Sequence, residues 1–323
     1  MVKRQGRNAA RRSGALFQGD VISSCMSVSQ PSLFDRVTPF LFVFLWSTGW
    51  IVARYSADYA DPLTFLLVRY AGAGLVLLVY ALAAGAIWPK SGAEWGHALA
   101  TGVLLHALYL GGVWWAVRHG VPASISALIA ALQPILTALF APAFVGERIR
   151  PLQWLGIGVG FAGLVLVLWP KLATVAPGAL GAALAPILIN VVGMFAITFG
   201  TFYQKRKIRS GDLRTVTVLQ YAGAAAATLP AAWLFEPMRI EWNVTMIAVL
   251  AWSVLALSIG AIALLLLLIR RGEVSRSAQL IYLVPPTAAL QAFILFGERL
   301  GATQLAGMAI TVAGVALASR PAR

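Results

Sequence analysis

Charge is what this chain has least of. Asp, Glu, Lys and Arg make up 11% of its 323 residues, and 60% are hydrophobic, where a soluble domain carries about 25% charged residues. So little polar surface cannot cover a water-facing protein of this size. The single cysteine, Cys25, excludes an internal disulfide framework and any cysteine metal cluster. No HExxH, no GxSG nucleophile and no pair of membrane aspartates occurs, which argues against an intramembrane enzyme. The lack of a glycine-rich phosphate loop argues against direct ATP drive. Neither a metal site nor a cofactor is expected. The net charge of +14 could suggest nucleic acid, but the basic residues stand between apolar runs and form no continuous basic face.

What is present is a series of long apolar runs, the signature of an all-α integral membrane protein. The pattern predicts ten transmembrane helices, over about 37–55, 62–84, 95–117, 121–145, 152–169, 180–203, 214–235, 245–269, 274–296 and 302–319. The lipid bilayer is therefore one partner, and the short connections leave little room for a soluble domain. With the N-terminus placed in the cytoplasm, 19 Lys and Arg fall inside and five outside: Arg54, Arg118, Lys171, Arg239 and Arg299. Arg69 stands within the membrane. The bias predicts that both termini are cytoplasmic. Residues 1–35 read as a basic tail with no helical periodicity. Gln18 and Asp20 interrupt any signal-like apolar segment, and Met26 is an alternative start.

Shifting the sequence by 151 residues superposes it on itself without a gap. Tyr70-Ala71-Gly72-Ala73 meets Tyr221-Ala222-Gly223-Ala224, Pro134 meets Pro285, and Gly146-Glu147-Arg148 meets Gly297-Glu298-Arg299. Ser124, Ser126, Gln153 and Gly156 likewise meet Ser275, Ser277, Gln304 and Gly307. The predicted organisation is a repeat over 36–170 and a second over 171–323. Each has five helices, an odd number, so the second enters the membrane inverted, giving a 5+5 arrangement. Inverted repeats are the architecture of alternating-access transporters, with the substrate site near the midplane.

The paired segments "GERIRPLQWLGIGVGFAG" and "GERLGATQLAGMAITVAG", the "WSTGW" of the first helix, and Pro62 and Arg69 opening the second resemble the EamA-like branch of the drug/metabolite transporter superfamily. The likeness covers about 37–319. It implies a secondary transporter in a bacterial inner membrane, exporting a small metabolite such as an amino acid. The alternatives are multidrug efflux of organic cations or a non-transporting scaffold. A monomer or homodimer fits equally, and no nucleic acid is involved.

Within the spans, the candidate substrate-binding residues are Arg69, Trp46, His106, Tyr109, Asn190, Gln133, Gln279 and Tyr282. Arg69 is a permanent cation about 10 Å deep, where its helix-centre cost is on the order of 2.5–3.5 kcal/mol. Such a cation could offer paired hydrogen bonds to a carboxylate. Position 220, its counterpart, is Gln, so the charge is asymmetric. All eleven acidic residues sit in the tail, loops or helix ends, which weighs against a cation exporter that needs a membrane carboxylate. His106 could titrate near neutral pH, with Tyr109 on the same helix face. Trp46, Trp50, Trp114 and Trp115 could wall an aromatic substrate, Trp50 and Trp115 equally serving as interfacial anchors. Pro134, Pro285 and Pro286 are candidate hinges. Gly146, Glu147, Gly297 and Glu298 form the repeated structural motif, each glutamate expected to close a helix end by favouring the following helix's N-terminus.

Overall fold

A computed structural model of the chain describes residues 33–145, 149–173, 180–208, 211–261, 263–264 and 283–318. Among these the structure is all-helical, apart from one antiparallel bridge between Ala60 and Ile240. Eight helical stretches are long and apolar enough to cross a membrane. In chain order these are Val37–Tyr59, Pro62–Ala83, Gly92–Arg118, Ala123–Phe144, Pro151–Pro170, Leu180–Lys207, Leu213–Phe235 and Val244–Ala261. Two shorter apolar helices, Val284–Phe296 and Ala302–Ala318, follow. The contacts described below lie within Thr38–Arg323, the larger of two compact units. The basic tail, Gly146, Glu147, Gln279, Tyr282 and the first part of the span expected at 274–296 lie outside the described residues.

The elements begin where local chemistry starts a helix. α1 covers Leu33–Tyr59 and α2 Pro62–Ala83, with Pro62 at the first position, where its missing N–H costs nothing. α3, Gly92–Gly102, opens on a reciprocal pair: Ser91 Oγ accepts from the Glu94 N–H, and Glu94 accepts from the Ser91 N–H. The same span continues through a π-helical segment, Val103–Leu108, into α4, Tyr109–Arg118.

The fourth span is not one helix. α5, Ala123–Ile129, ends in a turn at Ala130 and Ala131 before α6, Leu132–Val145. Pro134 explains the position of the break. It lacks an N–H, and its ring clashes with the carbonyl four residues earlier, that of Ala130. Pro134 itself then sits in the first turn of α6. Pro285 and Pro286 also stand at a helix start, in α11, Val284–Phe296.

The remaining helices are α7 (Pro151–Ala173), α8 (Leu180–Lys207), α9 (Leu213–Phe235), α10 (Val244–Trp252) and α12 (Ala302–Ala318). A second π-helical segment, Ser253–Ala261, follows α10. Shifting the first π segment by 151 residues gives Val254 to Ile259, inside the second. Several helix pairs approach to backbone contact on glycine. A Cβ at Gly314 of α12 would stand 2.2 Å from Gly160 N of α7, and one at Gly102 of α3 1.9 Å from Gln220 O of α9. Such stripes let helices pack where lipid supplies no hydrophobic drive between them. The buried core runs through α1, α2, α4, α5 and α6, with every residue of α5 buried.

Candidate functional site

The centre of the bundle gathers polar and aromatic side chains from four spans around Arg69. The Arg69 side chain comes from α2 and is 7% exposed. Its Nε–H donates to Ser258 Oγ at 3.3 Å, and its guanidinium carbon lies 5.3 Å from the Trp114 ring centroid, within cation–π range. Nη1 has no hydrogen-bond partner, and none of the ion pairs among the described residues includes Arg69. A buried cation with a free N–H is a costly arrangement unless something supplies an acceptor.

Both π segments border this cation. In the second, the Ser258 hydroxyl donates to the Ser253 carbonyl at 3.0 Å, five residues back, and the serine oxygen thereby faces Arg69. Ser253 Oγ is itself buried without a partner. In the first, the His106 carbonyl accepts from the Tyr70 hydroxyl at 2.9 Å. A π-helical turn widens the helix and leaves carbonyls out of the regular ladder, which is why such turns recur at functional sites.

Aromatic rings form the walls. Tyr70 and Tyr221 stack with centroids 6.0 Å apart, and the His106 ring stacks on Tyr221 at 4.8 Å. His106 and Tyr109 are half-buried and lie within electrostatic reach of Arg69. Trp114 is fixed from behind, its indole N–H donating to Ser56 Oγ at 3.1 Å and its ring stacked near Phe65 at 6.3 Å. The arrangement can hold a planar acceptor group against Arg69 between aromatic faces.

Arg69, His106 and Tyr109 are thus brought together. Asn190 is fully buried on α8 against α5, its Nδ2 donating to Ser126 Oγ at 2.7 Å while Oδ1 has no partner. Trp46 is half-buried, with its ring 5.3 Å from Phe42, and Gln133 is half-buried near the break between α5 and α6. Trp50 is buried, so it is no interfacial anchor; its indole N–H lacks a partner. Trp115 stacks on His119 at 3.8 Å. Glu298 does not serve the helix that follows it. Its carboxylate accepts from the Ala123 and Ser124 N–H groups, each at 3.1 Å, and from the Ser124 hydroxyl at 2.8 Å. Gly297 takes a left-handed conformation (φ 66) that ends α11, and the carboxylate of the next residue caps α5.

Tyr70, Tyr221, Ser253 and Ser258 were not singled out for the site by sequence. The one available signal was the repeated Tyr-Ala-Gly-Ala, whose two tyrosines meet here. Ser258 carries no such mark, because its counterpart at the 151-residue offset is Ala107.

A polar, partly unsatisfied cluster between the spans of a helical membrane protein marks a functional site, a substrate pathway being one of its uses. The EamA-like transporter family matches the chain over residues 37–169 and again over 184–320. The chain belongs to this family. It is 29% identical over 285 residues to the inner membrane transporter YedA of Escherichia coli strain K12, covering 86% of this chain and 88% of the relative. It is 26% identical to a probable terminal-alkyne amino-acid exporter of Streptantibioticus cattleyicolor, with 87% and 91% covered. It is also 26% identical to the aromatic amino acid exporter YddG of Ancylobacter novellus, with 88% and 96% covered. A solved crystal structure shares the fold with a TM-score of 0.59 at 21% identity, covering 88% of this chain and 96% of the other.

Proposed function

We propose that the protein is a secondary transporter of the bacterial inner membrane that exports a small carboxylate-bearing metabolite, such as an amino acid, by alternating access. The observation that carries this reading is the buried Arg69, whose Nη1 has no partner. A substrate carboxylate would supply the missing acceptor through a charge-assisted hydrogen bond, with Trp114, Tyr70, Tyr109, Tyr221 and His106 as walls. Ten spans in two inverted five-helix repeats, over 36–170 and 171–323, complete the proposal. The double family match, the constant 151-residue offset and the paired π segments support it. Two of the relatives above carry names of amino-acid exporters. Trp46, Asn190, Gln133, Gln279 and Tyr282 remain candidates for the rest of the pathway, and Pro134, Pro285 and Pro286 for its hinges.

The test is counterflow of labelled amino acids, organic acids and organic cations in proteoliposomes, with and without a pH gradient. Uptake of a carboxylate is expected, with Arg69→Gln raising KM roughly tenfold or more, the loss of one charge-assisted bond. Movement of organic cations alone, indifferent to Arg69→Gln, would replace this reading with cation efflux.

A further inference from the structure

The constant 151-residue offset gives each helix crossing a counterpart, and one such pair differs in a way that concerns Arg69. At the first crossing, α3 and the first π segment meet α9. A Cβ added to Gly102 would stand 1.9 Å from the Gln220 carbonyl oxygen, and one added to Gly223 2.2 Å from the Leu99 carbonyl oxygen. The two backbones touch, with no room for a side chain between them at these points. At the second crossing, α10 and the second π segment meet α2. The counterpart of Gly223 there is Gly72. The nearest atom to its added Cβ is no backbone atom but Val254 Cγ2, at 3.2 Å. The counterpart of Gly102 is Ser253, whose own Cβ rules out the approach that glycine permits. The crossing is thus closed in one place and held a side chain apart in the other.

Three residues change together between the two places. Where the closed crossing has Gln220, Ala107 and Gly102, the open one has Arg69, Ser258 and Ser253. These three form a continuous chain of contacts. Arg69 Nε–H donates to Ser258 Oγ at 3.3 Å, and the Ser258 hydroxyl donates to the Ser253 carbonyl at 3.0 Å. Gln220 is engaged elsewhere, its Nε2 donating to Gln204 Oε1 of α8 at 3.4 Å. A guanidinium can meet a carboxylate side-on, through Nε and one Nη, or end-on, through both Nη groups. Ser258 occupies Nε, so the side-on edge is taken. The group left buried without a partner, Nη1, belongs to the end-on edge.

We infer that the crossing of α2 with the second π segment is an asymmetric carboxylate site, held open by Ser253 and aimed by Ser258. Ser258 is a positioning residue: it acts through Arg69, fixing the plane of the guanidinium so that a substrate carboxylate is taken end-on. Ser253 is a spacer, keeping between the helices the gap that the Arg69 side chain and its ligand need. The closed counterpart offers neither a cation nor a gap, so the two halves of the chain contribute unequally to binding. The inference rests on the proposed carboxylate reading of Arg69 and adds to it two residues and a direction of approach.

Counterflow in proteoliposomes with labelled phenylalanine, leucine, phenylacetate and succinate separates the inference from the reading beneath it. For the probes that the wild type moves, Ser258→Ala should raise KM roughly three- to tenfold, the worth of one hydrogen bond, with kcat and melting temperature unchanged. Ser258→Thr, which keeps the hydroxyl, should recover most of the wild-type KM. In an Arg69→Gln background Ser258→Ala should add nothing, because the group it aims is gone. Ser253→Gly, which removes the spacer, should raise KM as well, and Ser253→Ala, which keeps a Cβ, should not. A wild-type KM in Ser258→Ala beside a raised KM in Arg69→Gln overturns the aiming role, and so does an undiminished effect of Ser258→Ala without Arg69. Equal KM values in Ser253→Gly and Ser253→Ala overturn the spacing role. If the wild type moves none of the four probes, or moves them indifferently to Arg69→Gln, the carboxylate reading itself falls and the inference falls with it.

Discussion

At the scale of single residues, the burial of Arg69 is held by very little. One serine, one indole face and a set of phenols surround it, and none of these cancels a charge. Its place inside an apolar helix was legible from the sequence, because it stands seven residues past Pro62 in an apolar run. Its surroundings were not, because Ser258 and Tyr221 lie more than 150 residues away and reach Arg69 only once three spans have packed. A charge at the membrane surface behaves in the opposite way. Asp212 caps α9, and its side-chain hydrogen bonds with Arg214 hold its carboxyl down at about 2. A depressed carboxylate contributes stability above its unfolded value, near 3.8, and loses it as the pH falls through about 2. Asp212→Asn removes the charge but keeps an acceptor. It should therefore cost about 0.3–1 kcal/mol at pH 5, the usual worth of a charge at a helix N-terminus. Thermal unfolding in detergent checks this: the wild-type excess present at pH 5 should be gone below pH 2.

At the scale of elements, glycine spacing decides which helices approach to backbone contact. Gly156, Gly160 and Gly163 of α7 meet Gly307 and Gly314 of α12 at distances that leave no room for a Cβ; one on Gly163 would stand 2.5 Å from Thr311 N. Gly314→Ala should therefore force the pair apart, at a cost of about 1–3 kcal/mol, whereas a Cβ at Gly158 meets nothing within 4 Å and Gly158→Ala should be silent. Melting temperatures of the two variants in one detergent make the comparison; equal losses would show that the stripe is not what holds α7 to α12. The stripe could be read in advance, since four-residue glycine spacing has one common use in membranes. The break of the fourth span could be located only roughly, because "ALIAALQPIL" is apolar throughout and the clash of Pro134 acts four residues upstream of the proline itself. The π segments had no such marker. "VLLHAL" and "SVLALSIGA" read as ordinary helix, and their extra residue shows only when carbonyls are traced to donors five positions on.

At the scale of the whole molecule, the apolar runs are long and the loops between them short, so an all-helical membrane protein was legible before any contact was known, and eight of the described helical stretches are long and apolar enough to span. Direction also follows from the basic residues, and this reading can be tested by itself. The loop at Lys90 and the basic run Lys205-Arg206-Lys207 fall on the side expected to be cytoplasmic. The turn at Arg118 to Gly120 and the Asp61–Arg239 pairing fall on the other. The contacts agree that the latter group shares one end of the bundle, because α1 meets α11 there through Tyr55 and Phe296. The physical driver is the higher cost of carrying Lys and Arg across the membrane during insertion. A phosphatase that is active only in the periplasm should be active when fused after Gly120 and silent after Lys90, and a fluorescent protein that matures only in the cytoplasm should give the reverse. The opposite pattern would turn the whole bundle over. The end of the bundle where Glu298 caps α5 would then be cytoplasmic.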